Sequence, residues 1–193
     1  VVENLRRQGK KVAIVSRGYK GSYREAAVRV DVRRPDATRV FGDEPVWFAE
    51  KCQVPVFVGR QRVKAIELCI QSENPEVIVA DDGFQHRWFR RDQDVVLLDA
   101  TESTRFLLPA GRWREPFESL SRATVAVLSK ANLAGPEALS ELEKKAGDLG
   151  FSYKKGNMFR AEDKVEALLR VRGEKNLTQG ESVILASSIA RPE

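Results

Sequence analysis

Val77-Ile78-Val79-Ala80-Asp81-Asp82-Gly83-Phe84-Gln85-His86 contains the transition that decides the fold. Its first four residues are apolar with no polar alternation, as in a strand covered on both faces, and they run straight into two carboxylates and a glycine. Working outward, similar runs recur at Val12-Ala13-Ile14-Val15, Val54 to Val58, Val95-Val96-Leu97-Leu98, Val125-Ala126-Val127-Leu128 and Val183-Ile184-Leu185. Glu44 to Lys51, Arg60 to Gln71 and Pro136 to Leu149 read as amphipathic helices between them, the last with proline in its first turn and Gly150 as its stop. Strands that alternate with helices predict a mostly parallel α/β sheet flanked by helices. Phe151 to Arg172 breaks the rhythm with turn signals and scattered apolar residues, and predicts a small antiparallel addition at residues 151–172. Val1 to Arg7 has helical spacing and stops at Gly9, so the sequence reads as a fragment that starts inside a helix, with residues 1–193 expected to form one α/β domain.

Composition narrows the function. The 193 residues carry 33 Lys+Arg and 28 Asp+Glu, a net charge of +5, with a globular apolar content. Two cysteines and one histidine exclude a disulfide framework and a Cys/His zinc site. No apolar run reaches the ~18–20 residues that span a bilayer. A basic nucleic-acid-binding module would interleave aromatic residues with Lys and Arg, and only His86-Arg87-Trp88-Phe89-Arg90-Arg91 does so locally.

Ligands of open parallel sheets collect at the carboxyl ends of the strands. Asp81 and Asp82 stand there in the arrangement of a Walker B element, where a carboxylate holds Mg²⁺ beside nucleotide phosphates. Adjacent carboxylates repel unless a cation lies nearby, which favours a metal-linked role. Gln85 and His86 extend the site. Asp43-Glu44-Pro45 sits at a helix start, where Asp43 serves either as an N-cap or as the acceptor of a hydroxyl proton beside a metal-binding Glu44. Ser16-Arg17-Gly18-Tyr19 brings a guanidinium to a strand end with close backbone approach, and Arg60, Arg62, Arg112 and Arg114 add further charge for phosphate. Leu107 to Pro116 is an apolar loop with arginines, suited to an amphiphilic anion. Ser129-Lys130-Ala131-Asn132 is a weak match to the guanine-reading signature of P-loop GTPases, with Asn132 where the base-reading Asp belongs.

Together, Ser16-Arg17-Gly18-Tyr19, Gly42-Asp43-Glu44-Pro45, Asp81 to His86, and Leu107 to Gly111 with Arg114-Glu115-Pro116 resemble the tetraacyldisaccharide 4′-kinase family, the lipid A 4′-kinases of Gram-negative bacteria, in order and spacing. The resemblance implies a P-loop NTPase-like kinase that uses ATP and Mg²⁺ to phosphorylate the 4′-hydroxyl of a tetraacyldisaccharide 1-phosphate, the lipid A disaccharide precursor. It implies work at the cytoplasmic face of the inner membrane, with no nucleic-acid partner. By the family's pattern Asp43 accepts the proton, Asp81 and Asp82 form the Walker B side, and Glu44, Asp82 and Glu115 lie near Mg²⁺. Arg17, Tyr19, Gln85, His86 and Arg114 line the substrate cleft. Lys20 stands where the family commonly has glycine. The family's phosphate loop and amino-terminal membrane helix are expected before Val1, so these residues alone are not expected to phosphorylate anything.

Overall fold

A computed structural model describes residues 1–87, 89–102 and 106–162. Contacts divide the chain into two compact units, Val1–Asp94 and a second that begins at Val95. The first is ordered α1 (Val2–Arg7), β1 (Val12–Ser16), β2 (Val28–Arg29), α2 (Ala37–Phe41), α3 (Asp43–Cys52), β3 (Val56–Val58), α4 (Arg62–Glu73) and β4 (Val77–Ala80). Its sheet runs β2-β3-β1-β4, with β1 parallel to β3 and β4 and the short β2 antiparallel at the edge.

Every residue of β1 and β3 is buried, which explains their uninterrupted apolar sequence. Period-2 alternation sends Val12, Ile14, Val56 and Val58 to one face, against Val2 of α1, Phe41 of α2 and Val46 of α3. Ala13, Val15 and Phe57 face the other way, onto Ala65 and Cys69 of α4. Full burial of each Val or Phe side chain contributes ~1.5–3 kcal/mol, so the sheet interior anchors this unit. Burial also pushes the Cys69 thiol up to about 11, an inert core sulfur.

The second unit contains β5 (Val95–Asp99), a 3₁₀ turn over Phe117–Arg122, β6 (Val125–Ser129), α5 (Pro136–Asp148) and β7 (Met158–Arg160). Its strand order is β5-β6-β7 and all pairings are parallel. The expected antiparallel addition is therefore corrected. Residues 151–157 are irregular, and β7 returns alongside β6 in parallel because the α5 crossover brings the chain back to the same end of the sheet. Residues 163–172 and the run at 183–185 lie outside the described residues. β5 also departs from the both-faces-buried expectation. Val96 and Leu98 enter the core, whereas Val95 and Leu97 are exposed at 42% and 67%.

Candidate active site

Parallel pairing in register, Val15 beside Ala80, makes Ser16 and Asp81 leave the first sheet side by side. Ser16 is buried, and its Oγ donates to Asp81 Oδ2 at 2.9 Å. Asp82 follows in the left-handed region at φ 49°. Arg62 is buried on the same side of α4 as Ala65 and Cys69, one turn closer to the strand ends. Its Nη1 donates to the Val15 carbonyl and its Nη2 to the Asp82 carbonyl, each at 3.3 Å, while its buried Nε has no hydrogen-bond partner. Burial lowers the Arg62 pKa, opposed by the carboxylates of Asp81 and Asp82. A fixed cation thus sits beneath the acid pair and ties its turn to β1.

The loop after β1 meets the start of α3. Gly18 (φ 66°) and Gly42 (φ 93°) permit this approach: a Cβ on Gly42 would stand 2.7 Å from the Tyr19 carbonyl oxygen, and one on Gly18 would stand 3.0 Å from that of Phe41. Lys20 takes φ 60°, a conformation that costs a non-glycine residue ~1–2 kcal/mol. Gly42, not Asp43, is the residue preceding α3, and it makes no side-chain cap. The N-cap reading of Asp43 is thereby corrected; Asp43 is the first helical residue and is exposed, as is Glu44. Arg17, Tyr19 and Gln85 are also exposed.

His86 is half-buried, its amide bonded to the Gly83 carbonyl at 3.0 Å. Burial, with the positive charges of Arg62 and Arg17, lowers its pKa against the pull of Asp82. The shift favours the neutral imidazole. Arg91 donates to the His86 carbonyl, bonds Asp94 at 2.7 Å and stacks over Phe89, so one arginine of the aromatic-basic segment is consumed internally. Trp88 lies outside the described residues.

Arg17, Tyr19, Asp43, Glu44, Asp81, Asp82, Gln85 and His86 all belong to the first unit, and its sheet edge gathers the charges of Arg17, Arg62, Asp82 and His86. Arg114 and Glu115 belong to the second. Arg114 is exposed, and Glu115 pairs with Arg122 at 2.5 Å. The loop around them is closed by Leu108 N–H to the Trp113 carbonyl (2.9 Å) and Gly111 N–H to the Leu107 carbonyl (3.0 Å). It leaves Phe106, Leu107 and Leu108 exposed at 65%, 43% and 63%. Beside it a groove of about 460 Å³ is lined by Leu107, Trp113, Phe117 and Leu149, with Lys145 and Asp148 at its rim. At the ends of β5 and β6, Lys130 Nζ bonds Asp99 at 2.6 Å, which gives Lys130 a partner other than a guanine base.

Sequence reasoning missed Tyr23 and underweighted Arg62. Tyr23 is buried and its hydroxyl donates to the Arg17 carbonyl at 2.7 Å. The signal for both was a polar side chain close to motif glycines or within an apolar helix face, which a single sequence does not separate from surface.

Among the described residues no three His, Cys, Asp or Glu side chains converge to hold a metal. The donors of Asp81 and Asp82 nevertheless fit Mg²⁺, which takes one or two carboxylates and fills its other positions with waters and phosphate oxygens.

A mostly parallel sheet with helices on both faces and a serine-linked acid pair at its carboxyl edge defines a P-loop NTPase-like α/β protein. A family model described as tetraacyldisaccharide-1-P 4′-kinase matches residues 1–193, so the chain belongs to that family. It is 38% identical to a tetraacyldisaccharide 4′-kinase of Bdellovibrio bacteriovorus over 100% of this chain and 57% of that protein. Against that of Anaeromyxobacter dehalogenans the identity is 35%, over 100% of this chain and 52% of the relative. The chain thus spans a little over half the length of these curated relatives. A crystal structure of LpxK from Aquifex aeolicus in complex with ATP superposes with a TM-score of 0.59 at 34% identity, covering 66% of this chain and 41% of that one.

Proposed function

We propose that the intact protein transfers the γ-phosphoryl group of ATP to the 4′-hydroxyl of a tetraacyldisaccharide 1-phosphate. Residues 1–193 form part of one catalytic α/β domain in this reading, in keeping with a single family model along their length. The observation that carries it is the grouping, in a chain of this family, of the Ser16-linked Asp81, Asp82 and buried Arg62 on the edge that also carries the Arg17 loop packed on Gly42.

Phosphoryl transfer demands positioning and charge neutralisation more than covalent chemistry. The O4′–Pγ bond forms as the bond from Pγ to the β-bridging oxygen breaks. ADP departs, and Asp43, exposed at the first position of α3, receives the hydroxyl proton. Asp81 and Asp82, with Glu44, would hold Mg²⁺, which when bound would neutralise phosphate charge. Glu115, in the second unit, is paired with Arg122. In this reading Arg17 and Arg114 each supply a guanidinium for phosphate, while Tyr19, Gln85 and His86 donate to or accept from the sugars.

The exposed Phe106-Leu107-Leu108 tip supports work at the cytoplasmic face of the inner membrane, where an acylated acceptor resides. Among the described residues no helix is long and apolar enough to cross a membrane. The test is incubation of the purified intact protein with γ-labelled ATP, Mg²⁺ and tetraacyldisaccharide 1-phosphate in detergent. Label is expected on the 4′ oxygen of the lipid. ATP hydrolysis without labelled lipid would overturn the assignment.

A further inference from the structure

Eleven residues connect the end of β1 to β2 without apolar periodicity, yet their path is tightly held. Ser22 and Tyr23 amides donate to the Arg39 and Val40 carbonyls, each at 3.1 Å, which fastens the loop to α2. The Gly21 amide closes back on the Gly18 carbonyl at 3.0 Å. Inside this turn lies the Tyr23 ring: a Cβ on Gly18 would come within 2.9 Å of its Cε1, and one on Gly21 within 3.0 Å of its Cδ1. The ring leaves no room for side chains at either glycine, and its hydroxyl, only 4% of the residue being exposed, finds the Arg17 carbonyl. On its other side the same turn touches Gly42, through the Tyr19 carbonyl, directly before Asp43.

We infer that Tyr23 is a positioning residue for the acceptor: its ring and hydroxyl fix the Arg17–Tyr19 turn against Gly42, and so hold the acceptor-binding side chains of Arg17 and Tyr19 in place. The inference rests on the proposed kinase reading. Tyr23 touches no substrate itself. It acts through Arg17 and Tyr19, so it governs acceptor binding and not the Asp81-Asp82 side, where Arg62 performs the corresponding task.

Tyr23→Phe in the intact protein removes the hydroxyl and keeps the ring. The KM for the lipid acceptor is expected to rise about three- to tenfold, the weight of one neutral hydrogen bond, with kcat and the KM for ATP within twofold. An acceptor KM within twofold of wild type, or an equal rise in both KM values, overturns the proposal. Hydrogen exchange supplies a readout independent of turnover. The Gly21 amide is expected to exchange at least fivefold faster in Tyr23→Phe while amides of β1 do not change; unchanged Gly21 exchange also overturns it. A wild-type protein that never labels the lipid refutes the kinase reading, whereas the exchange result still decides whether Tyr23 holds the turn.

Discussion

At the carboxyl edge of β1 and β4, Ser16 satisfies one oxygen of Asp81, Arg62 supports the turn from beneath, and Arg62 retains a buried N–H with no acceptor. At the carboxyl edge of β5 and β6, Asp99 accepts from the amide and hydroxyl of Thr101 and from Lys130, so a closed set of partners surrounds it. Both edges arise from the same rule, an apolar run ending in an acid. The two edges differ in what surrounds the acid: a buried guanidinium with one N–H lacking an acceptor at the first, a lysine and a threonine bonded to the carboxylate at the second. The two sheets also differ in burial, the first having β1 and β3 buried on both faces and the second exposing Val95 and Leu97.

The largest effect that would sharpen this contrast lies in the first unit. Asp43→Ala in the intact protein is expected to lower kcat by ~10²–10⁴, the usual contribution of a positioned base, with little change in the KM for ATP. Steady-state kinetics showing activity within threefold of wild type would return Asp43 to an ordinary first-turn acid. Next, Asp82→Asn keeps shape and hydrogen bonding but deletes charge. The Mg²⁺ concentration for half-maximal activity is expected to rise about fivefold or more, with the unfolding midpoint nearly unmoved; an identical Mg²⁺ titration would erase the distinction between the two edges.

The smallest effect belongs to the second unit. Lys130→Met is expected to leave turnover within twofold and to cost at most about 1 kcal/mol, as partly exposed ion pairs do. Burial pushes the Asp99 pKa up, but Lys130 and Thr101 together hold it below its ordinary value of 3.8. A carboxylate with a depressed folded pKa stabilises above its unfolded pKa and loses that contribution as pH falls through the folded value. The difference between wild type and Lys130→Met in urea unfolding should therefore be full at pH 7 and shrink below about pH 4. A large loss of kcat in this variant would break the comparison, making the sealed edge functional.

The strands β1 and β3 were legible because their apolar runs match the burial they meet, β4 and β6 from similar runs although they are less deeply buried, and the Asp81-Asp82 turn because acids after such a run are chemically costly. Helix α2 and strand β2 were not legible: Lys20 to Gly42 has neither a period of two nor of 3.6, and tertiary bonds such as Tyr23 N–H to the Val40 carbonyl organise it. Pairing direction at β7 was misread because turn signals around Lys155-Gly156-Asn157 suggest a hairpin, while direction is set by the α5 crossover. Arg62 looked like one surface arginine among several, since burial of a guanidinium is decided by elements distant in sequence.

The left-handed backbone of Asp82 has a consequence for how this edge is dissected. Aspartate, asparagine and glycine occupy that conformation at little cost, whereas other side chains strain it by ~1–3 kcal/mol. An alanine scan would therefore confound two quantities at this position, the missing charge and a twisted peptide that drags the neighbouring Asp81 with it. Paired exchanges to asparagine and glycine separate them, one holding the chain and the other freeing it.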